Sequence, residues 1–171
     1  MGTWTTTPRT WVAGEVPTAA MFNANLRDFG RAFSDAFVSY TPTLTASTTN
    51  PTGWTQTGYY TQVGKLVLVK FKLTAGASMT AGTGAYRMAL PVAANVTIGT
   101  STVGGVVEAW DNSLSSWGTP KPLIRDSASS VVAFMYPATW PTGTQTEVGA
   151  AAPWTWAAND FLRGAFWYEA A

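Results

Sequence analysis

The stretch GYYTQVGKLVLVKFKL, residues 58–73, carries the clearest structural signal in this chain of 171 residues. It consists of two runs in which apolar and polar residues alternate, separated by the dipeptide Gly64-Lys65. Alternation with a period of two is typical of strands that bury one face, and a short break containing glycine joins two such strands in a hairpin. The stretch therefore predicts two antiparallel strands and a tight turn.

The two faces of the second predicted strand differ in composition. One face carries only apolar side chains: Val67, Val69, Phe71 and Leu73. The other face is mixed and carries Leu66, Leu68, Lys70 and Lys72. We expect the first face to lie in the core and the second to be covered only near the start of the strand, because lysine side chains are rarely buried.

Similar short strand patterns recur on both sides of this hairpin. They are separated by clusters of Gly, Pro, Asn and Ser, and they cover residues 38–45, 85–90, 102–110, 121–125, 130–136 and 161–169. Seven to nine short strands with no helix between them predict an all-β fold, an antiparallel β-sandwich of jelly-roll-like type. We assign this domain to residues 38–171.

Composition excludes several classes of function. Only 11% of the residues are charged and the ten Lys and Arg are scattered, which argues against a nucleic-acid-binding protein. The chain has no His and no Cys, so Ser-His-Asp triads, Cys or His nucleophiles, the usual zinc sites and disulfides are excluded. No apolar run reaches the length of a membrane span. We expect no cofactor.

Residues 1–37 differ from the rest of the chain. Residues 1–16 show no periodicity but contain Trp4 and Trp11, which predicts an extended arm that docks on a partner or folds back on its own domain. Residues 17–37 predict one α-helix, with Pro17 in the first turn and Thr18 as a candidate N-cap.

The predicted helix carries an aromatic stripe. Its apolar residues follow one another at steps of three or four: Phe22, Leu26, Phe29, Phe33 and Phe37. This spacing places them along one helix face, which needs a partner surface. A short coiled coil between identical chains would supply one, and packing on the chain's own sheet is the alternative.

Two weak chemical hypotheses come from the acidic residues. Glu108 and Asp111 flank Trp110, an arrangement that also occurs in glycosidase clefts with two carboxylates and an aromatic platform. Asp111 and Asn112 are candidate Ca²⁺ ligands. Neither spacing is diagnostic, so we expect a protein that is not an enzyme and has no metal site.

The nine tryptophans suggest a different kind of contact. Indole rings exposed in loops can stack on the apolar faces of sugars, whereas buried ones would close the ends of the sandwich or fill an oligomer axis. Trp117 and Trp140 lie in turn-rich segments and are the candidates for glycan contact.

Three segments of the chain carry motifs of one kind of protein. They are the opening PRTWVAGEVPTAAMFNANLRDF, the closing WTWAANDFLRGAFWYEAA, and residues 40–94, where a Tyr-Thr-Pro strand at 40–42 leads to a Gly-x-Tyr-x-x-x-Gly-Lys hairpin at 58–65 and then to a strand ending before Leu90-Pro91. On these motifs the chain resembles tail-associated structural proteins of phages that infect actinobacteria. In the opening, the matching residues are Trp11, Ala13, Gly14, Glu15, Val16, Thr18, Ala19, Asn25, Arg27 and Asp28. None of these motifs is catalytic.

What the resemblance implies is a virion component assembled in the host cytoplasm. It implies a homotrimeric minor tail protein, tail fibre or receptor-binding spike that attaches to other virion proteins through residues 1–37. A trimer would bury sheet surface between subunits, which would account for Leu66 and Leu68. Contact of the loops with a host surface glycan is compatible with this role. A head fibre or capsid decoration protein is the alternative, and a carbohydrate-binding module is the second alternative.

Overall fold

The chain folds into antiparallel strands arranged as two packed sheets. The computed structural model describes residues 12–23, 37–97, 103–125, 127–137 and 145–171. Their helix is α1 (Ala19–Phe22), and their strands are β1 (Val38–Tyr40), β2 (Leu44–Ala46), β3 (Thr52–Val63), β4 (Leu66–Thr80), β5 (Tyr86–Ala89), β6 (Gly104–Asp111), β7 (Ser116–Gly118), β8 (Lys121–Leu123), β9 (Val131–Pro137), β10 (Gln145–Glu147) and β11 (Phe161–Glu169). The predicted all-β antiparallel sandwich is confirmed.

The strands are divided between a six-stranded and a five-stranded sheet. The first sheet has the order β1-β3-β4-β11-β6-β7, and the second has the order β10-β9-β5-β2, with β8 also paired to β9. The closing strand β11 lies between β4 and β6 and pairs along its length with both. The C-terminal strand therefore completes the six-stranded sheet.

The predicted hairpin is the longest feature of the fold. Strands β3 and β4 pair from Val63↔Leu66 outward to Thr52↔Thr80, with an irregularity between Thr52 and Trp54. Gly64 opens the two-residue turn with φ of 58°, a conformation that glycine adopts without steric cost. Both strands extend beyond the predicted 58–73, which ended where the strict alternation stops.

The core lies between the sheets and matches the predicted apolar face of β4. Along the first half of β4 the buried residues are Val67, Val69, Phe71 and Leu73, and the residues between them are exposed. The ring of Phe71 lies 5.4 Å from that of Phe134 on β9 and 5.9 Å from that of Phe166 on β11, centroid to centroid. Phe71 therefore joins the two sheets.

The predicted strand at 38–45 is two strands in different sheets. Strand β1 pairs with β3 in the six-stranded sheet, and β2 pairs with β5 in the five-stranded sheet. The chain crosses between the sheets at Pro42, which cannot donate a ladder hydrogen bond and so interrupts a strand. Alternation of side chains continued across the proline and concealed this break.

Two short strands were missed in the prediction. Strands β7 and β10 have three residues each, and their sequences, SWG and QTE, contain too few apolar residues to show a period. With the split at Pro42 they raise the number of strands in the described residues to eleven, above the predicted seven to nine.

The described part of the predicted helix is its first turn. The side-chain oxygen of Thr18 accepts a hydrogen bond from the Met21 backbone N–H, so Thr18 is the N-cap, as predicted, and Pro17 precedes it. Phe37 directly precedes β1 and belongs to no helix, so the helix does not reach it. Trp4, Trp11, Leu26, Phe29 and Phe33 lie outside the described residues, and of Phe22 the backbone is described.

Within the described ranges, the structure has no helix that is long and apolar enough to cross a membrane.

Candidate functional site

The outer face of the six-stranded sheet carries most of the exposed large apolar side chains of the described residues. Strands β4, β6 and β11 alternate between side chains in the core and side chains on this face. Two regions stand out at opposite ends of these strands. We call them the aromatic platform (Trp110, Trp117 and Phe161) and the apolar patch (Tyr59, Leu66, Leu68, Val106 and Trp167).

The aromatic platform is built by strand register across β7, β6 and β11. Trp117 pairs directly with Trp110, which on its other side pairs with Phe161. The ring centroids of Trp110 and Trp117 are 4.4 Å apart, and that of Phe161 lies 5.8 Å from Trp117. Trp117 is 55% exposed, so the platform presents an open aromatic surface.

An ion pair borders the platform. Arg163 on β11 donates through Nε to Oε2 of Glu108 on β6, at 2.8 Å. The same guanidinium carbon lies 5.0 Å from the Phe161 ring centroid and 5.6 Å from that of Trp117. Lys72 on β4 places its ammonium 5.1 Å from the Phe161 centroid. The cationic groups of Arg163 and Lys72 therefore lie against the aromatic rings of the platform.

The hairpin turn before Trp117 is fixed by Asp111. Its Oδ1 accepts hydrogen bonds from the backbone N–H and hydroxyl of Ser113 and from the backbone N–H of Leu114. The hydrogen bond from the Ser113 hydroxyl is the main reason that the pKa of Asp111 lies below its ordinary value. Asp160 accepts a further bond from the Asn112 N–H, which ties the turn to the chain entering β11.

The structure places the residues of the two weak chemical hypotheses as follows. Glu108 lies on the outer face of β6, whereas Asp111 is buried on the inner side, so the two carboxylates do not face one cleft as that glycosidase arrangement requires. The carboxylate of Asp111 accepts hydrogen bonds within its own turn and does not point outwards beside Asn112. The described residues include no cluster of three or more acidic residues that could hold a metal ion.

The apolar patch lies at the opposite end of the same strands. Val106 is 67% exposed, Leu66 52%, Trp167 45%, Tyr59 39% and Leu68 36%. Cross-strand pairs bring them together, since Trp167 faces Leu68 on β4 and Gly104 on β6. A Cβ at Gly104 would collide with the Trp167 indole, so this glycine lets the ring lie low over β6.

Phe37 lies beside the patch. Its ring centroid is 4.4 Å from the Lys70 ammonium, which is also 5.2 Å from the Tyr59 ring. Phe37 belongs to the stripe predicted for attachment, and here it contacts its own sheet, as in the alternative hypothesis of intramolecular packing. The N-terminal segment thus joins the sandwich at the face that carries the patch.

A second charged cluster lies on the five-stranded sheet. Glu147 on β10 accepts hydrogen bonds from Arg87 on β5, at 2.8 Å, and from Arg125. Burial raises the pKa of Glu147, but the two guanidinium groups outweigh this effect and hold it below its ordinary value. This cluster joins β5 and β10, and we assign it a structural role.

The predicted glycan-contact residues have different outcomes. Trp117 is exposed as predicted, but it lies on strand β7 and not in a loop. Trp140 lies outside the described residues. Trp54, Trp154 and Trp156 pack against the core, with Trp156 donating from Nε1 to the Gly149 carbonyl.

Phe161 and Arg163 were not predicted as part of a site. Each is unremarkable in its own strand, and only the pairing of β11 with β6 brings them beside Trp110 and Glu108. Comparison of the chain with protein-family models, with curated proteins and with solved structures found no match.

Proposed function

We propose that this chain is a structural protein of a phage particle that assembles as a homotrimer. It is a minor tail protein, tail fibre or spike component, joined to other virion proteins through residues 1–37, and it has no catalytic role. The proposal draws on the resemblance of residues 8–29, 40–94 and 154–171 to tail-associated phage proteins.

The observation that carries the proposal is the apolar patch. Its five members are large apolar side chains on the outer face of the six-stranded sheet, and 36–67% of their surface is exposed. Trp167 and Leu68 are direct cross-strand partners. Several exposed large apolar side chains on one sheet face are typical of a surface that is covered in an assembly. A contact between subunits would cover it. Such a contact would explain why leucines occupy the outward positions 66 and 68 of β4.

Phe37 packs on its own sheet, so the proposal assigns only the preceding part of the aromatic stripe to the contact between subunits. Phe37 ends the aromatic stripe and lies over Lys70, in the row of the sheet next to Leu68. A helix carrying Phe22, Leu26, Phe29 and Phe33 from each chain would continue the contact made by the patch. The stripe and the patch would then form one continuous apolar surface between subunits.

Two alternatives remain as second candidates. A head fibre or capsid decoration protein would use the same trimer and differ only in its place on the particle. A free-standing carbohydrate-binding module is favoured by the aromatic platform, whose exposed Trp117 and adjoining ion pair suit sugar recognition. Such a module would not need the aromatic stripe.

Incorporation into particles tests the proposal. Phage particles purified from infected cells are analysed by peptide mass spectrometry and by labelling with an antibody to this chain. The proposal predicts that the chain is present at a copy number divisible by three, and that Phe29→Ser/Phe33→Ser lowers incorporation while Asn23→Ser, an exposed neighbour, does not. Particles that lack the chain would contradict the proposal.

A further inference from the structure

We propose that the aromatic platform, together with Arg163 and Lys72, binds a carbohydrate chain that carries carboxylate groups. This inference adds a ligand class to the proposed function. It rests on the proposed function for its biological role, which is contact with a host glycan. Its geometry is independent of that role.

The platform is separate from the surface assigned to subunit contact. Phe161 of the platform and Trp167 of the patch are six residues apart on β11, which corresponds to about 20 Å along an antiparallel strand. A trimer that covers the patch can therefore leave the platform open.

The rings supply an apolar surface of the right kind. The C–H groups of a pyranose form an apolar face, which packs on an aromatic ring while the hydroxyls stay at the rim. Trp110, Trp117 and Phe161 lie within 6.5 Å of one another, centroid to centroid, and the rings of Trp110 and Trp117 are inclined by 46° to each other. The high exposure of Trp117 leaves this surface accessible.

Arg163 supplies a group that recognises a carboxylate. Its Nε is bound to Glu108, and within the described part of the chain its two terminal nitrogens have no acceptor. Glu108 therefore holds the guanidinium in place while the far end stays available. A planar guanidinium with two free donors binds a carboxylate in bidentate geometry, which favours an acidic sugar over a neutral one.

Lys72 adds to the positive charge of the site. Its ammonium lies over Phe161, and among the described residues no carboxylate forms an ion pair with it. The site thus has two cations against the one carboxylate of Glu108. This excess is small, which suits an occasional sugar carboxylate better than the closely spaced phosphates of a nucleic acid.

The test measures binding of trigalacturonate to the full-length chain by isothermal titration calorimetry and NMR. The fully methyl-esterified trisaccharide has the same rings without the charge and is the matched probe. We expect the acid to bind at least about tenfold more tightly than the ester. Trp117→Ala should weaken binding of both probes by about tenfold or more, whereas Trp117→Phe, which keeps a ring, should retain most of it.

Further variants test the carboxylate preference and the aromatic site separately. Arg163→Gln should bring the affinity for the acid down to that for the ester, while Leu114→Thr, an exposed change in the adjoining turn, should alter neither. Equal binding of acid and ester by the unchanged protein would overturn the preference for carboxylates. Absence of binding to both probes, or tighter binding of single-stranded DNA that is equally sensitive to Trp117→Ala, would overturn the site. None of these results bears on particle incorporation, which tests the proposed function separately.

Discussion

Replacing Leu66 and Leu68 by threonine tests whether the apolar patch holds subunits together. Both residues lie on β4, where threonine fits the strand well and removes apolar surface. The Leu66 side chain is 52% exposed in the single chain and that of Leu68 36%. Because this exposed part is what a neighbouring subunit would cover, its loss should weaken association and not folding.

The size of the effect follows from these fractions. Complete burial of a leucine side chain stabilises by about 1.5–3 kcal/mol, so covering the exposed parts of both contributes roughly 1–3 kcal/mol per subunit. At about 1.4 kcal/mol for each factor of ten, the double variant should associate roughly 5- to 150-fold more weakly per contact. The unfolding free energy of the isolated chain should change by less than about 1 kcal/mol.

Size-exclusion chromatography with light scattering over a dilution series measures this shift. The control is Leu114→Thr, which removes a leucine that is 73% exposed in the β6–β7 turn, outside the patch. We expect the midpoint of dissociation to move to higher concentration for the double variant and to stay in place for the control. Identical dissociation curves for all three proteins would refute the role of the patch.

Three further predictions concern the fold and its pH dependence. Phe71→Ala should lower the unfolding free energy by about 3–5 kcal/mol in urea titrations, because it leaves a cavity between the sheets, and a loss below about 1 kcal/mol would contradict the packing described. The pKa values of Glu147 and Asp111 in the folded chain lie below their ordinary values of 4.5 and 3.8. The stability that these carboxylates contribute is therefore complete at a pH above the ordinary pKa. It is lost as the pH falls through the lower pKa of the folded state. Urea titrations between pH 7 and pH 3 should therefore show a loss of stability below about pH 4.5, smaller in Glu147→Gln, and stability that rises on acidification would be inconsistent with this. Gly104→Val should displace the Trp167 indole and shift its fluorescence, and an unchanged spectrum would contradict the ring position.

The sequence predicted which face of each strand is buried better than it predicted which strands pair with one another. Whether Val67 or Leu68 is buried depends on local alternation, because successive side chains of a strand point to opposite sides. The fold class, the hairpin and the core face of β4 could therefore be predicted. The break at Pro42 was missed because alternation continued through it.

The candidate site could be predicted only in part, because it depends on register between distant strands. Trp117 was chosen for its turn-rich surroundings and proved to be exposed, although it lies on β7. Its neighbours Phe161 and Arg163 come from a strand more than forty residues away, and no local pattern gives the pairing of Trp110 with Phe161. The aromatic stripe of residues 22–33 remains a prediction.

The mass of the 171-residue chain in solution shows whether three chains assemble. Native mass spectrometry at micromolar concentration should show a species with three times the 18.2 kDa mass of one chain, which separates into single chains in Leu66→Thr/Leu68→Thr. A single-chain mass at every concentration would mean that the patch and the stripe are not subunit contacts, and the account of this protein as a trimeric particle component would be wrong.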